Sequence, residues 1–305
     1  MGLGYLVKRN IKMYFQDKGF FVSSLITPLI LLLLYSTFLK NAYVSSFNSA
    51  VAQNGITIAD SYVNGFVYGW LFSSLIAVSA VTVAFCSNLL MVQDKFMGTI
   101  HDLEIAPISR GKIAIAYYLA SMIETTIIIL IEIGIGFLII SSYGWFLTFK
   151  DILGILIGSF LLVNFGTALS SLIHYFLSTQ GQMSAVGTLV SSVYGFICGA
   201  YMPISQFGAG LQKVLGFLPG TYGTSLIRNH YERGVLEKLV TECKFPQTIV
   251  DEMANDFDIN VFFLGKQVPL WGSYLILGLS TLVIIGAYIF ISIKNKKNKL
   301  NKKAI

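Results

Sequence analysis

Long apolar blocks alternate with shorter polar stretches along the 305-residue chain. A helix needs about 20 mainly apolar residues to cross the hydrocarbon of a bilayer. We predict spans at about 19–39, 62–92, 113–140, 152–173, 183–201 and 269–293. The pattern therefore predicts an all-α integral membrane protein with six transmembrane helices, in a membrane domain that covers 19–293.

Residues 1–18 show a different pattern, in which apolar side chains recur at helical spacing. The apolar face is Leu3, Leu6, Val7, Ile11, Tyr14 and Phe15, and the opposite face is Lys8, Arg9, Lys12 and Gln16. A helix of this kind lies in the membrane interface with its basic face toward anionic headgroups. We predict an N-terminal amphipathic interfacial helix here.

Residues 202–268 separate the fifth and sixth spans and form a predicted extracellular excursion. The stretch 202–227 is apolar but broken by proline and glycine, which favours short re-entrant helices buried against protein. The stretch 229–268 carries both signs of charge and predicts two short helices, at about 233–242 and 246–256. Its role as a substrate gate or a solvated cap stays open.

Charge placement decides what the net charge of +6 means. Only 12% of residues are charged, and six lysines crowd the last twelve positions, 294–305. Basic groups that flank spans mark the cytoplasmic side, so both termini are expected there. We interpret the tail as a basic cytoplasmic segment that sets topology or binds anionic lipid, and we expect no nucleic-acid partner.

Glu124 and Glu132 lie within the third predicted span. A carboxylate inside the membrane is costly and is a candidate functional site. Because eight residues make just over two helical turns, both side chains point roughly the same way. Two interpretations stay open: a polar path or proton relay, and structural hydrogen bonds to neighbouring spans.

The chain carries no motif for nucleotide, metal or covalent chemistry. The two Gly-Lys pairs, at 111–112 and 265–266, lack the glycine and hydroxyl residue of a phosphate-binding loop. No Cys/His cluster has metal-ligand spacing. We therefore expect no catalytic, cofactor or metal residues, and the protein is not expected to be an enzyme by itself.

The segment after the second span combines an acidic–basic pair, a Gly-Thr pair and a proline. Its key residues are Asp94, Lys95, Gly98, Thr99, Asp102 and Pro107. This run resembles the coupling helix of the permease subunits of type-2 ATP-binding-cassette (ABC) exporters. The resemblance implies that these residues dock into a cleft on an ATPase. His101 stands where the family usually has an acidic residue, and Phe96 and Met97 replace charged positions.

A second segment resembles the outer re-entrant region of the same family. It comprises Pro203, Pro219, Tyr222 and Arg228. The resemblance covers essentially the whole chain and implies a permease dimer, of identical copies or paralogues, with two ATPase subunits that bind ATP and Mg. It also implies a bacterial plasma-membrane location among lipids.

Three functional hypotheses follow. The first is ATP-driven export of a hydrophobic or amphipathic substrate such as a drug, lipid-like molecule or peptide, because the spans offer few fixed charges. The second is export of a polysaccharide or lipid-linked polymer by the same machinery. The third is ion-coupled secondary transport that uses Glu124 and Glu132.

Overall fold

The structure is a computed structural model, which describes residues 2–41, 43–45, 47 and 58–301. Side chains are not described at 20, 36, 39, 104 and 295–301. Much of the polar stretch between the first and second predicted spans and the last four tail residues lie outside the described part. The described residues are 83% helical, which confirms the all-α prediction.

The structure consists mainly of helices. In the described residues they are α1 (Leu3–Gln16), α2 (Lys18–Leu34), α3 (Asp60–Ser87), α4 (Leu89–Phe96), α5 (Thr99–Ile105), α6 (Arg110–Tyr143), α7 (Phe149–Phe176), α8 (Gln180–Ile197), α9 (Ala209–Leu215), α10 (Pro219–Thr241), α11 (Gln247–Asp256) and α12 (Leu270–Asn301). A π-helical turn at Tyr35–Leu39 extends α2, and a 3₁₀ turn at Ile204–Gln206 precedes α9. Strands β1 (Phe262–Phe263) and β2 (Lys266–Gln267) pair antiparallel.

Four segments of the described chain are long and apolar enough to cross a membrane: Asp60–Phe96, Arg110–Tyr143, Phe149–Phe176 and Leu270–Lys294. They coincide with the second, third, fourth and sixth predicted spans. The bent pair α1–α2 makes a fifth candidate if it counts as one span, with a bend of 63°. Helix α8 is 18 residues long and begins Gln-Gly-Gln. A crossing by α8, and with it the count of six, stays a prediction.

Helix α3 lies at the centre of the bundle, in contact with α2, α6, α7, α8 and α10. Of the most apolar 18-residue window of its segment, 89% is buried, against 22% for α12. The approach of α7 is close, because a Cβ on Gly166 would lie 2.6 Å from the Ala80 carbonyl oxygen. Small residues allow such contacts between membrane helices. The central helix thus leads directly into the predicted coupling segment.

The two chain ends meet at the same end of the bundle. Leu6 of α1, Met91 of α4, Ile113 of α6 and Tyr288 of α12 belong to one buried cluster there. The Tyr288 hydroxyl donates a hydrogen bond of 3.1 Å to the Ala114 carbonyl oxygen. We call this the termini end, and the opposite end, which carries α11 and the hairpin, the distal end.

Helix α1 packs along α6. The face that it buries there is not the apolar face predicted from the sequence. Leu6, Asn10 and Tyr14 are buried, one turn apart, whereas Phe15 is exposed. The polar Asn10 is buried because it lies on the stripe that faces α6. Arg9 was expected to face headgroups, but its guanidinium points into the protein.

Helix α10 differs from the prediction for this part of the chain. It runs without interruption for 23 residues from Pro219 to Thr241. The separate short helix predicted at about 233–242 is therefore wrong, whereas the 3₁₀ turn at Ile204–Gln206 and the seven-residue α9 are short helices within 202–227, as predicted. Helix α11, by contrast, covers the second short helix predicted at about 246–256.

Two glycines of α10 are contact positions, and one of them, Gly223, is among the residues that suggested a break. A Cβ on Gly223 would lie 2.5 Å from a Leu162 methyl, and one on Gly234 would overlap the Phe146 carbonyl oxygen. Both glycines thus admit neighbouring segments to the helix surface. Glycine weakens a helix only modestly when packing compensates.

Candidate functional site

The connection between α4 and α6 contains most of the predicted coupling residues. Gly98 separates α4 from α5 and has a φ of 81°. This left-handed conformation favours glycine, which has no Cβ to clash with the backbone. A Cβ at Gly98 would meet nothing within 4 Å. The backbone angle, and not crowding, therefore requires glycine at this turn.

Asp94 lies in the last turn of α4 and is 3% exposed. Its carboxylate accepts hydrogen bonds of 2.7 and 2.9 Å from the two terminal nitrogens of Arg9. The Tyr117 hydroxyl of α6 donates a third. Paired arginine–carboxylate bonds are among the stronger hydrogen bonds in proteins. Asp94 thus fastens α4 to both α1 and α6.

Lys95 caps the end of α7. Its Nζ donates to the carbonyl oxygens of His174 at 2.8 Å, Tyr175 at 2.6 Å and Leu177 at 3.0 Å. The last carbonyls of a helix lack partners within it, and a cation there also complements the helix dipole. Asp94 and Lys95 therefore fix the end of α4 to three neighbouring helices.

The other predicted coupling residues lie on and after α5. Leu103 is buried in the cluster of the termini end and anchors this short helix. Asp102 and Pro107 are exposed, and Thr99 is half-buried at the first position of α5. The structure thus separates the six residues into an inward pair, Asp94 and Lys95, and an outward group around α5.

The same connection exposes three large apolar side chains. Phe96 is 60% exposed, Met97 is 66% exposed and Ile105 is 84% exposed. Phe96 and Met97 immediately precede Gly98, and Ile105 ends α5. These three residues form what we call the apolar coupling face.

Glu124 and Glu132 both lie buried on the side of α6 that faces α3. Ser87 of α3 lies beside Glu124, and Ser79 lies beside Glu132. The two serines are also eight residues apart, in the opposite order, because α3 and α6 run antiparallel. Within the described residues, neither carboxyl oxygen of Glu132 has a hydrogen-bond partner. An unpaired charge in such a place is costly.

Glu232 is a further buried acid, which the sequence did not indicate because it lies in a stretch of mixed charge. It is fully buried, and a Cβ on Gly69 of α3 would lie 2.6 Å from its Oε1. Burial raises the pKa of Glu232 well above its ordinary value, and the Arg228 charge opposes that shift. Across the described residues, no three His, Cys, Asp or Glu side chains form a metal-binding group.

Arg228 lies at the centre of the predicted outer motif, and it is fully buried. Its guanidinium donates to the Ser74 hydroxyl at 2.9 Å and to the Gly199 and Phe257 carbonyl oxygens at 2.9 and 3.0 Å. It also lies 4.5 Å from the centre of the Trp70 ring. Arginine supplies several donors in one plane, so this side chain ties three separate segments to α10.

The remaining outer-motif residues shape the turns before α10. Pro219 is the first residue of α10, where its missing N–H costs nothing. The Tyr222 hydroxyl donates a 2.6 Å hydrogen bond to the Gly216 carbonyl oxygen and closes the turn after α9. Pro203 immediately precedes the 3₁₀ turn. The structure brings Tyr222 and Arg228 onto one helix.

A second arginine–aspartate pair, not foreseen from the sequence, lies on α7 and α10 toward the distal end. Arg233 of α10 donates hydrogen bonds of 2.7 and 2.8 Å to the two carboxylate oxygens of Asp151. Asp151 is fully buried at the start of α7 and also accepts from Thr148. The two residues are 82 positions apart, so no local pattern indicates their contact.

The sequence profile of the ABC-2 type transporter family matches residues 1–231. The chain belongs to this family. The matched part runs from α1 into the middle of α10 and includes all predicted coupling, intramembrane and outer-motif residues. No curated protein matches the chain. Members of the family are membrane components of ABC transporters, so this ABC-2 chain is a permease subunit that works with an ABC ATPase.

Proposed function

We propose that this ABC-2 permease subunit exports a hydrophobic or amphipathic substrate, driven by ATP that a separate ATPase binds together with Mg. The connection after α4 receives the motion of that ATPase. The observation that carries the proposal is the way Asp94 and Lys95 join this connection to the bundle.

The contacts of Asp94 and Lys95 define how a movement of α5 would spread to the membrane helices. A displacement of α5 is passed through Gly98 to the end of α4, which continues the central helix α3. Through Arg9 and Tyr117 it also reaches α1 and α6, and through Lys95 it reaches the end of α7. A force applied at one short helix therefore acts on several membrane helices together, as switching between inward-open and outward-open states requires.

The proposed assembly has two permease subunits and two ATPases in a bacterial plasma membrane. Basic residues flank the termini end, and basic flanks mark the cytoplasmic side, so the ATPases meet the protein there. The first, second and fifth spans of the two copies, which correspond to α2, α3 and α8, would enclose the path. Exposed apolar side chains on α2 and α8, such as Leu33 and Leu189, are available for this contact or for lipid.

The substrate preference follows from the small number of charges inside the spans. Glu124 and Glu132 are the buried acids of α6, and they contact α3 rather than open space. A highly charged substrate would find few fixed partners there. Export of a polysaccharide or lipid-linked polymer by the same machinery is the alternative substrate class.

A second candidate function is ion-coupled transport, which one observation supports. Both carboxyl oxygens of Glu132 lack a hydrogen-bond partner within the described residues, and a buried acid of this kind can bind and release a proton. This function predicts a proton-dependent flux that Glu132→Gln abolishes and that needs no ATPase.

The test is purification of the tagged permease from native membranes in mild detergent, with quantitative mass spectrometry. An ABC ATPase in about 1:1 ratio to the permease, lost in a Gly98→Pro/Asp102→Lys double variant, is the expected result. Export activity should also disappear when the gene for that ATPase is deleted. Export that survives the deletion would contradict the proposal and turn attention to Glu132.

A further inference from the structure

A groove lies between α10 and α11 at the distal end of the molecule. It has a volume of about 400 Å³, which falls within the range of small-molecule sites, roughly 300–1,000 Å³. Its lining begins at Asn229 and ends at Asn260, whereas the family profile ends at residue 231. Almost all of the groove therefore lies beyond the part of the chain that the family shares.

The interior of the groove is apolar. It is lined by Leu236 and Val240, which are half-buried on α10, and by the buried Val250, Ala254 and Ile259. Leu236 and Val240 lie one turn apart on the same face of α10. Covering such a surface with an apolar ligand is favourable, because it removes that surface from water. The groove therefore suits a molecule with an apolar body.

Two exposed carboxylates line the groove, one on each helix. The Glu237 side chain of α10 is 65% exposed, and Asp251 of α11 is exposed as well. The Arg233 Nη1 lies 3.6 Å from the Glu237 carboxylate, but the other nitrogens of Arg233 donate two hydrogen bonds to the buried Asp151, which balances its charge. Asp251 accepts a hydrogen bond of 2.9 Å from Gln247, whose amide is neutral. These contacts leave the groove with a negative charge.

The charge around the groove decides which apolar molecules it accepts. Helix α11, which the structure describes throughout, carries Asp251, Glu252 and Asp256 and no basic residue. A cleft with one sign of charge attracts ligands of the opposite sign, whereas like charges brought together across a contact are unfavourable. A ligand that is both apolar and positively charged therefore matches the interior and the rim at once.

We propose that this groove binds an amphipathic organic cation, with its apolar body against Leu236 and Val240 and its positive group toward Glu237 and Asp251. On the proposed orientation the groove opens on the outer side of the membrane, because the basic residues flank the opposite end. The inference goes beyond the proposed export function. It assigns a ligand site to the permease alone, and binding there needs neither the ATPase nor transport.

The experiment measures the affinity of octyltrimethylammonium for the full-length permease by isothermal titration calorimetry. The protein is held in nanodiscs of phosphatidylcholine, whose zwitterionic headgroups carry no net charge, and empty nanodiscs provide the blank. Octanesulfonate is the matched anionic probe, because it has the same alkyl chain and the opposite charge. Both probes are titrated at low and at high NaCl concentration.

The variants test the rim and the interior of the groove separately. Asp251→Asn and Glu237→Gln each remove one carboxylate of the rim, and Val240→Thr makes the interior more polar at nearly constant shape. Glu252→Gln is the matched control, because Glu252 is exposed on the same helix but is not among the residues that line the groove. Thermal unfolding of each purified variant shows whether the substitution leaves the fold intact.

We expect the wild type to bind the cation at least about tenfold more tightly than the anion, and each rim substitution to weaken cation binding about threefold. Val240→Thr should weaken both probes by about threefold, high salt should weaken the cation, and Glu252→Gln should leave both affinities unchanged. Equal binding of the two probes, no saturable binding of either, or equal losses in Asp251→Asn and Glu252→Gln would overturn the proposal. The proposed function would stand in each case, because ATPase co-purification and export test it independently.

Discussion

Arg9 and Asp94 are joined by two hydrogen bonds of 2.7 and 2.9 Å although 85 positions separate them in the chain. The pair ties the amphipathic helix α1 to the end of the central segment formed by α3 and α4. A helix that was expected to rest on the membrane surface is therefore attached to the segment that is proposed to receive the ATPase. Any movement of α4 must carry α1 with it or break this pair.

Substitution Asp94→Asn should destabilise the permease. It leaves the Arg9 guanidinium without its carboxylate and weakens the Tyr117 contact. Breaking a buried pair costs about 3–5 kcal/mol, and we expect about 2–3 kcal/mol here because 24% of the Arg9 side chain is exposed. Thermal unfolding in detergent measures the change. Asp102→Asn, exposed on α5, is the control and should stay near wild type.

Substitutions at Gly98 should follow the cost of a left-handed backbone. Gly98→Asn should be tolerated, whereas Gly98→Ala and still more Gly98→Val should lower stability, by about 1–2 kcal/mol for alanine. Asparagine adopts this conformation more readily than other non-glycine residues. The measurements are thermal unfolding and the amount of co-purified ATPase.

Gly134 of α6 provides the control for Gly98. A Cβ there also meets nothing within 4 Å, but its φ is not positive. Gly134→Ala should therefore be neutral or slightly stabilising, because alanine favours a helix. Equal losses at both glycines would show that the backbone angle of Gly98 is not the cause.

The apolar blocks located four of the six predicted spans as candidate crossings, because block length largely fixes whether a helix can span the hydrocarbon. The orientations of Asp94 and Lys95 could not be predicted in the same way. A polar side chain at the end of a span can face water or a neighbouring helix, and the choice depends on partners such as Arg9 and His174, far away in the sequence. The sequence pattern therefore located the coupling segment but did not predict the contacts of its charged residues.

The region after α8 shows a second reason why the sequence pattern did not predict the whole structure. Gly223 was interpreted as a conformational break, whereas Gly223 and Gly234 both admit a neighbouring side chain or carbonyl to the surface of α10. Glu232 was assigned to a solvated stretch, yet it is fully buried against Gly69. Charge signs along a chain cannot distinguish an exposed acid from one that packs against a distant glycine.

The buried acids should respond differently to neutralisation, according to whether they have a cationic partner. Glu132→Gln should change the free energy of unfolding by less than about 1 kcal/mol, because no cation depends on that carboxyl. Asp151→Asn should cost about 1–3 kcal/mol, because Arg233 loses the carboxylate charge and one of two hydrogen bonds, and 42% of its side chain is exposed. Thermal unfolding of both variants tests the contrast, and a larger loss for Glu132→Gln would contradict it.

The pH dependence of stability should carry a contribution from Asp258. Burial raises the pKa of this carboxyl from 3.8 to about 6, while Arg228 and the backbone N–H groups of Ile204 and Ser205 oppose the shift. The folded protein thus binds this proton more tightly than the unfolded chain does. The resulting stabilisation is complete below about pH 4 and is lost as the pH rises through 6, with a total of at most about 3 kcal/mol.

The variant Asp258→Asn isolates the contribution of Asp258 to the pH dependence of stability. Its φ is 54°, a conformation that asparagine also tolerates, so Asp258→Asn keeps the backbone while it removes the titration. Thermal unfolding at several values between pH 4 and 7 should show a smaller fall for Asp258→Asn than for the wild type. Asp251→Asn, exposed on α11, should retain the wild-type slope. If Asp258→Asn also retained that slope, the proton would be bound elsewhere, and the fully buried Glu232 would be the next carboxyl to replace.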